Sequence, residues 1–329
     1  MSETVLFLYL HIDMSKLLVT HNDLDGISAV VVARIYGFDG DIYIAPNPQQ
    51  IPLQVLSDYD EIIVTDLSPS EEIIQKIEKM HKPISIYDHH AYAKHIIPYG
   101  GVLDTERCGS KIYFENVYES KEQAPYNIMT MEHYFELVDA WDRFVMESPL
   151  FNEAIELQDF FNGMTKEDKP LLGMFECTRF GTFVERILNI LKEEMIDNKL
   201  QYNEHDKTLI AEEQRIFRSD YNEALKTLSK RTDAKGRPFG ICLCDGNASL
   251  ILNQIVVNEG LDYIISFRDV PTKNDPRSFL RVSARARSDI DLNTLEFLKG
   301  HPKAAGGTMP TGLVKALLNG RMQYINYRK

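Results

Sequence analysis

The sequence predicts an α/β protein: a doubly wound parallel sheet in an N-terminal domain, a helical linker, and a smaller α/β C-terminal domain. Three features carry that expectation. Short, nearly continuous apolar runs alternate with helical patterns, as parallel strands covered on both faces require. Three successive runs end in acids or imidazoles, at the place where open parallel sheets gather ligands. The length of 329 residues favours two domains over one.

The elements follow in order. Residues 16–20 (KLLVT) form a buried strand, followed by HNDLDG at 21–26 and ISAVVVAR at 27–34, a run apolar all round. Residues 42–45 give a second strand signal, and 61–65 (EIIVT) a third, which ends at Asp66-Leu67-Ser68-Pro69-Ser70. Ser68 or Ser70 can N-cap a helix over 71–80, whose acidic first turn suits the helix dipole. The strand at 83–87 runs into Asp88-His89-His90. After a loop at 107–111 and a helix at 112–117, helical patterning returns at 131–144 with Asp139, Trp141 and Asp142. Acids on a largely apolar helix need a reason, and completing a metal site is one.

Amphipathic helices are expected at 151–163 and 183–194, and a long charged helix at 204–229. None carries a chemical motif. The turn at 235–238 is the best boundary, giving domains over 1–145, 146–237 and 238–329. Strands resume at 239–244, 263–267 and 280–284, with a helix at 250–258 after the first of them. A polar turn is expected at 269–278 and a glycine-rich loop, GHPKAAGG, at 300–307.

Composition narrows the function. The net charge of −13 argues against a general duplex-DNA binder. Yet residues 264–329 carry twelve Lys/Arg against five Asp/Glu, so a basic C-terminal part stands beside an acidic remainder. That asymmetry suits an anionic substrate held by one part and metal cations by the other. No apolar run reaches membrane-spanning length, and the short run at 5–10 lacks the flanks of a signal peptide. Four irregularly spaced cysteines make no disulfide framework, so a cytoplasmic compartment is expected. Cys242 and Cys244, two apart in a strand-like run, are expected in the core.

The strand-end clusters are His21/Asp23/Asp25, then Asp66, then Asp88/His89/His90. Each alone has an ordinary reading as a turn, a cap or a satisfied histidine. Three at equivalent topological positions point to one shared site. Aspartates with imidazoles and no thiolate set suit manganese, with magnesium as the alternative ion, over structural zinc. Such a set can hold two ions, with the second imidazole of the pair left to meet a phosphate oxygen. In the basic part, Arg281, Arg285 and Arg287 alternate, and guanidinium forks match phosphate.

HNDLDG, the TD of VTDLSP, YDHH and GHPKAAGG, in this order, resemble the DHH phosphoesterase family with its DHH-associated C-terminal domain. The resemblance spans nearly the whole chain, except for the motif-free middle. The compact spacing of His21 two residues before Asp23 is similar to that of short-oligonucleotide exonucleases of the oligoribonuclease (nanoRNase) type. It implies a two-manganese N-terminal domain with ligands Asp23, Asp25, Asp66 and His89, and His21 alongside them. A further family aspartate matches Asp139, with Asp142 its near competitor. His90 would face substrate, and Asp88 would orient the pair. In the C-terminal domain Arg285 on the VSAR strand, with Ser283, and Gly300, His301, Lys303, Gly306 and Gly307 of the glycine-rich stretch would grip a terminal phosphate.

The expectation is therefore a manganese-dependent phosphodiesterase that hydrolyses short oligonucleotides to mononucleotides. The rival enzymes are a 3′-phosphoadenosine-phosphate phosphatase and a linear or cyclic dinucleotide phosphodiesterase. The rival from another class is a catalytically silent nucleotide-binding module. Expected partners are a short oligonucleotide or nucleotide, with no long duplex DNA and no membrane; homodimer formation is left open.

Overall fold

The computed structural model describes residues 15–48, 51–118, 125–166, 173–175, 179–269, 279–287, 290–295, 298–301, 304–312 and 314. The chain divides into two compact units, one ending at Glu213 and the next starting at Gln214.

The first unit is built on a parallel sheet. Its strands are β1 (Lys16–Thr20), β2 (Asp41–Ile44), β3 (Glu61–Thr65), β4 (Ile84–Asp88) and β5 (Val102–Leu103), in the spatial order β5-β4-β3-β1-β2. A short antiparallel strand, β6 (Gly173–Met174), adds to β2. Side chains alternate between the faces, as strand geometry demands. Leu17, Val19, Ile62 and Val64 pack under α2 (Leu53–Ser57) and α3 (Glu71–Lys79). Leu18, Ile42 and Ile44 face α1 (Leu24–Ile35), α4 (Gly109–Tyr118), α5 (Ile128–Asp142), α6 (Phe151–Thr165) and α7 (Arg179–Ile190). The sheet is thus doubly wound, as the apolar runs predict.

Helix α1 is buried at every position except Arg34, which explains its all-round apolar sequence. Helix α3 instead turns Ile74 and Ile77 inward and starts at Ser70, whose side chain accepts from the Ile73 amide. The expected linker is helical, and Leu157, Phe160, Phe161, Phe183 and Ile187 belong to the same core as α1. Replacing one of these fully buried phenylalanines by alanine would cost about 3–5 kcal/mol.

The second unit holds a sheet of order β11-β12-β10-β9-β8-β7. Its members are β7 (Ser229–Thr232), β8 (Pro238–Leu243), β9 (Tyr263–Asp269), β10 (Phe279–Ala286), β11 (Lys299–His301) and β12 (Ala304–Pro310). Strands β8 and β9 are parallel, and α9 (Ala248–Asn258) lies between them in sequence. The other neighbours are antiparallel.

Two expectations change here. The turn at 235–238 closes the β7–β8 hairpin, so β7 belongs to the second sheet. The unit division falls earlier, inside the long helix α8 (Glu204–Lys226). The glycine-rich stretch is not an open loop: Gly306 and Gly307 are strand residues of β12, opposite Ser283 and Val282 of β10. Cys242 and Cys244 are buried and free, as expected. Among the described residues no helix is long and apolar enough to cross a membrane.

Candidate functional site

The strand order reverses direction at β1, whose neighbours are β3 on one side and β2 on the other. In doubly wound sheets this switch leaves a crevice at the carboxyl ends. The β1–β3 register puts Thr20 beside Thr65, and the Thr65 hydroxyl donates to Thr20 Oγ1 at 2.9 Å. The residues that follow these two threonines, and those that close β4, build the site.

Asp23 is the N-cap of α1, with Oδ1 accepting the Gly26 amide at 3.0 Å. Its Oδ2 lies 2.6 Å from His21 Nδ1, and His21 Nε2 lies 3.1 Å from the Pro46 carbonyl oxygen. A backbone carbonyl on one ring nitrogen fixes an imidazole with the other nitrogen aimed at a cation. The turn is so tight that a Cβ on Gly26 would sit 2.3 Å from the His21 carbonyl oxygen. The Asp-Gly pair is therefore the first turn of a helix packed on its own strand, not a free turn.

Asp66 leaves β3 with φ 55°, in the left-handed region that aspartate tolerates better than most residues. Its amide still donates to the Tyr87 carbonyl at 2.9 Å, extending the ladder, while the side chain is buried. The start of α4 closes on it. A Cβ on Gly109 would lie 2.9 Å from Asp66 N, Cα and Cβ. The same helix start donates the Gly109 and Ser110 amides to Asp25 at 2.7 and 2.8 Å, and the Cys108 amide to Asp139 at 2.7 Å. Gly109→Ala is expected to destabilise the fold by about 1–3 kcal/mol, because backbone lies on the other side of the contact. Thermal melting with and without manganese checks it: the loss should persist in the metal-free protein.

These elements bring the donors together in overlapping groups. His21, Asp23 and Asp66 form one; Asp25, His89 and Asp142 form another; Asp66, Asp88, His89 and His90 form a third. Within each group the donor atoms lie within 4.8 Å of one another. His89 Nε2 is 3.3 Å from Asp66 Oδ1 and 3.4 Å from Asp142 Oδ2, so the groups are contiguous. Asp66 Oδ2, His89 Nε2 and Asp142 Oδ2 are buried without a hydrogen-bond partner. Buried polar atoms are rarely left so, and three converging on one spot fit a cation.

The charge balance says the same. Burial, then the carboxylates of Asp23 and Asp25, push Asp66 well above the usual carboxylate range. Burial, then Asp25 and Asp23, do the same to Asp142. Burial keeps His89 below the ordinary imidazole value, in the neutral form that ligates metal. Burial works against the His21 imidazolium, but the Asp23 carboxylate outweighs it and raises the pKa to about 9. The three raised groups, Asp66, Asp142 and His21, follow one sign. They hold protons more tightly folded than unfolded, so the metal-free protein loses stability as pH climbs from the unfolded carboxylate range through about 9. A cation bound there would displace those protons. Its apparent affinity is therefore expected to rise about tenfold or more per pH unit between pH 6 and 8, as titration calorimetry with manganese would show.

Asp88 has a different position. It is fully buried, and its Oδ1 accepts the amides of His89 and His90 at 2.7 and 3.1 Å and His90 Nδ1 at 2.8 Å. Its Oδ2 accepts the Ser68 hydroxyl. With its lone pairs so engaged it aims His90 and leaves Nε2 of that ring for another partner. Of the two candidates on α5, Asp142 joins the donor groups and Asp139 does not. The Cys108 amide occupies Asp139, which holds the start of α4 in place.

In the second unit the predicted Arg285 and Ser283 line a cavity of about 240 Å³. Sequence reasoning missed two of its features. Arg268 of β9 stands opposite Arg281 of β10, and Ser266 opposite Ser283. The start of α9 closes one side, where the Ser249 hydroxyl accepts from Arg285 and Asn247 caps the helix. No ion pair to Arg268, Arg281 or Arg285 occurs among the described residues. Arg287 is outside the cavity, 3.9 Å from Asp262. Gly300 and His301 lie in β11 opposite Ala305 and Ala304. Lys303 lies outside the described residues, as does the His301 side chain.

The sequence matches no protein-family model, and no curated protein matches it. Its structure is similar to solved ones. The DHH domain of a member of a ribosomal-protein family is 12% identical with a TM-score of 0.64, over 95% of this chain and 87% of that one. A pGpG-specific phosphodiesterase, PggH from Vibrio cholerae, is 13% identical with a TM-score of 0.56, over 93% and 98%. The exonuclease RecJ bound to manganese is 11% identical with a TM-score of 0.51, over 94% and 89%. The fold of the chain is thus similar to that of these DHH-domain and RecJ proteins.

Proposed function

We propose that this chain is a DHH phosphoesterase that hydrolyses short oligonucleotides to mononucleotides with divalent metal. One observation carries the reading: the buried atoms of Asp66, His89 and Asp142 that lack a hydrogen-bond partner converge where His21, Asp23 and Asp25 also arrive. The donor set fits a hard cation with some affinity for nitrogen, manganese before magnesium. His21, Asp23 and Asp66 would hold one ion, and Asp25, His89 and Asp142 a second. Bound there, two such ions polarise a phosphate and lower the pKa of a water.

The remaining work falls to the protein. His90, aimed by Asp88, presents its one remaining N–H, at Nε2, to a phosphate oxygen or to the leaving group. The Asp25 and Asp139 bonds to α4 keep the ligand set rigid. Arg268, Arg281 and Arg285 of the second unit, with the Ser266 and Ser283 hydroxyls beside them, take an anionic group of the substrate. The likeness to a pGpG-specific phosphodiesterase and to an exonuclease supports phosphodiester substrates.

A substrate panel with manganese tests this reading. Turnover of a 5′-phosphorylated dinucleotide to mononucleotides is expected, faster than that of 3′-phosphoadenosine phosphate or a cyclic dinucleotide. Tight manganese binding with no turnover of any of them would instead favour a nucleotide-binding module.

A further inference from the structure

We propose that Tyr92 is a stacking platform for one nucleobase of the substrate, next to the scissile phosphate. The proposal rests on the phosphodiesterase reading and adds a base-binding residue to it. Tyr92 is 62% exposed, and among the described residues the other exposed large apolar side chains are all aliphatic. Its ring centroid lies 5.1 Å from that of His90 at an interplanar angle of 33°. The His90 ring lies in turn 4.3 Å from that of His89. A ladder of three rings therefore runs from a donor in the metal cluster, through the residue that meets the phosphate, to solvent.

The last rung is held in place. The Ala93 amide donates to the His90 carbonyl at 2.8 Å, closing the turn that carries Tyr92. Ala93 and Ile96 are fully buried, and His95 Nε2 lies 2.8 Å from the Pro69 carbonyl oxygen, so the segment is pinned on both sides of the core. A ring so fixed loses little freedom when a ligand covers it. The exposed ring contributes little burial to stability. A base offers it a flat partner of any sequence, because every base has a π-face. One platform fits a substrate only a few nucleotides long, since a longer strand would call for further rungs.

The test compares a dinucleotide with the same phosphodiester lacking the base on one sugar, both with manganese, on the full chain. The wild-type protein is expected to show a KM about fivefold lower for the base-bearing substrate at the low end of base–aromatic stacking. In Tyr92→Ala that ratio should fall to near one, and in Tyr92→Phe it should persist. Because it compares two substrates on one preparation, a loss of folded protein does not alter it. Tyr92→Leu, which keeps bulk without a π-face, guards against a folding failure of the alanine variant and should also lose the ratio. An unchanged ratio in the alanine or leucine variant, with both substrates turned over, overturns the platform alone. No turnover of either substrate by the wild-type protein overturns the phosphodiesterase reading and the platform with it.

Discussion

Asp66→Asn is expected to lower the manganese-dependent turnover of a dinucleotide on the order of 10³-fold. Asp66 sits in two of the donor groups and is 3.3 Å from His89. Losing its charge would weaken the cation position it shares with His21 and Asp23 and remove the carboxylate beside His89 of the other. Several kcal/mol of transition-state stabilisation then disappears, and each 1.36 kcal/mol is about a factor of ten. Asparagine is the informative replacement because it tolerates the φ of 55° nearly as well as aspartate, whereas alanine would add backbone strain. Initial rates at saturating manganese check the size of the loss. Titration calorimetry checks its cause, since the variant should also lose tight cation binding. Full activity in this variant would remove the metal assignment.

The second large effect is expected at Arg285→Ala. Its guanidinium is held by the Ser249 hydroxyl and by the Ala284 carbonyl at 2.8 Å, and burial lowers its pKa, so the protein maintains a costly desolvated cation there. On the proposed reading, a substrate anion would offset that cost. Charge-assisted hydrogen bonds contribute about 1.5–3 kcal/mol, so KM should rise about 10- to 100-fold. Cation affinity in calorimetry should be unaffected. Arg285→Lys should recover only a part, because an ammonium cannot reproduce the two-pronged geometry. A KM that does not move would place the substrate elsewhere.

What the sequence made legible follows from locality. The bounds of β1 and β3 coincide with the expected ones because a buried parallel strand is a continuous apolar run with abrupt ends. The metal-site candidates were legible because the switch-point rule turns strand ends into neighbours without knowledge of packing. Three features were not legible, each depending on long-range placement. Arg268 comes opposite Arg281 only through the antiparallel β9–β10 register. The choice between Asp139 and Asp142 depends on how α5 is rotated against α4, which one helix's periodicity leaves open. The glycines of 300–307 look like loop residues, yet pairing along β10 makes a strand of 304–310.

The three amides at the start of α4 have a consequence for timing. Asp25 and Asp139 are fixed by the peptide backbone of residues 108–110. The donor geometry is thus inherited from the fold before any ion arrives. In zinc fingers and similar modules, by contrast, binding and folding are one event. On the proposed reading, an ion would come and go at the pace of ligand exchange while the sheet and its helices stand still. Ion availability would then set how many molecules are active at a given moment, and would add to the stability of an already formed fold by mass action.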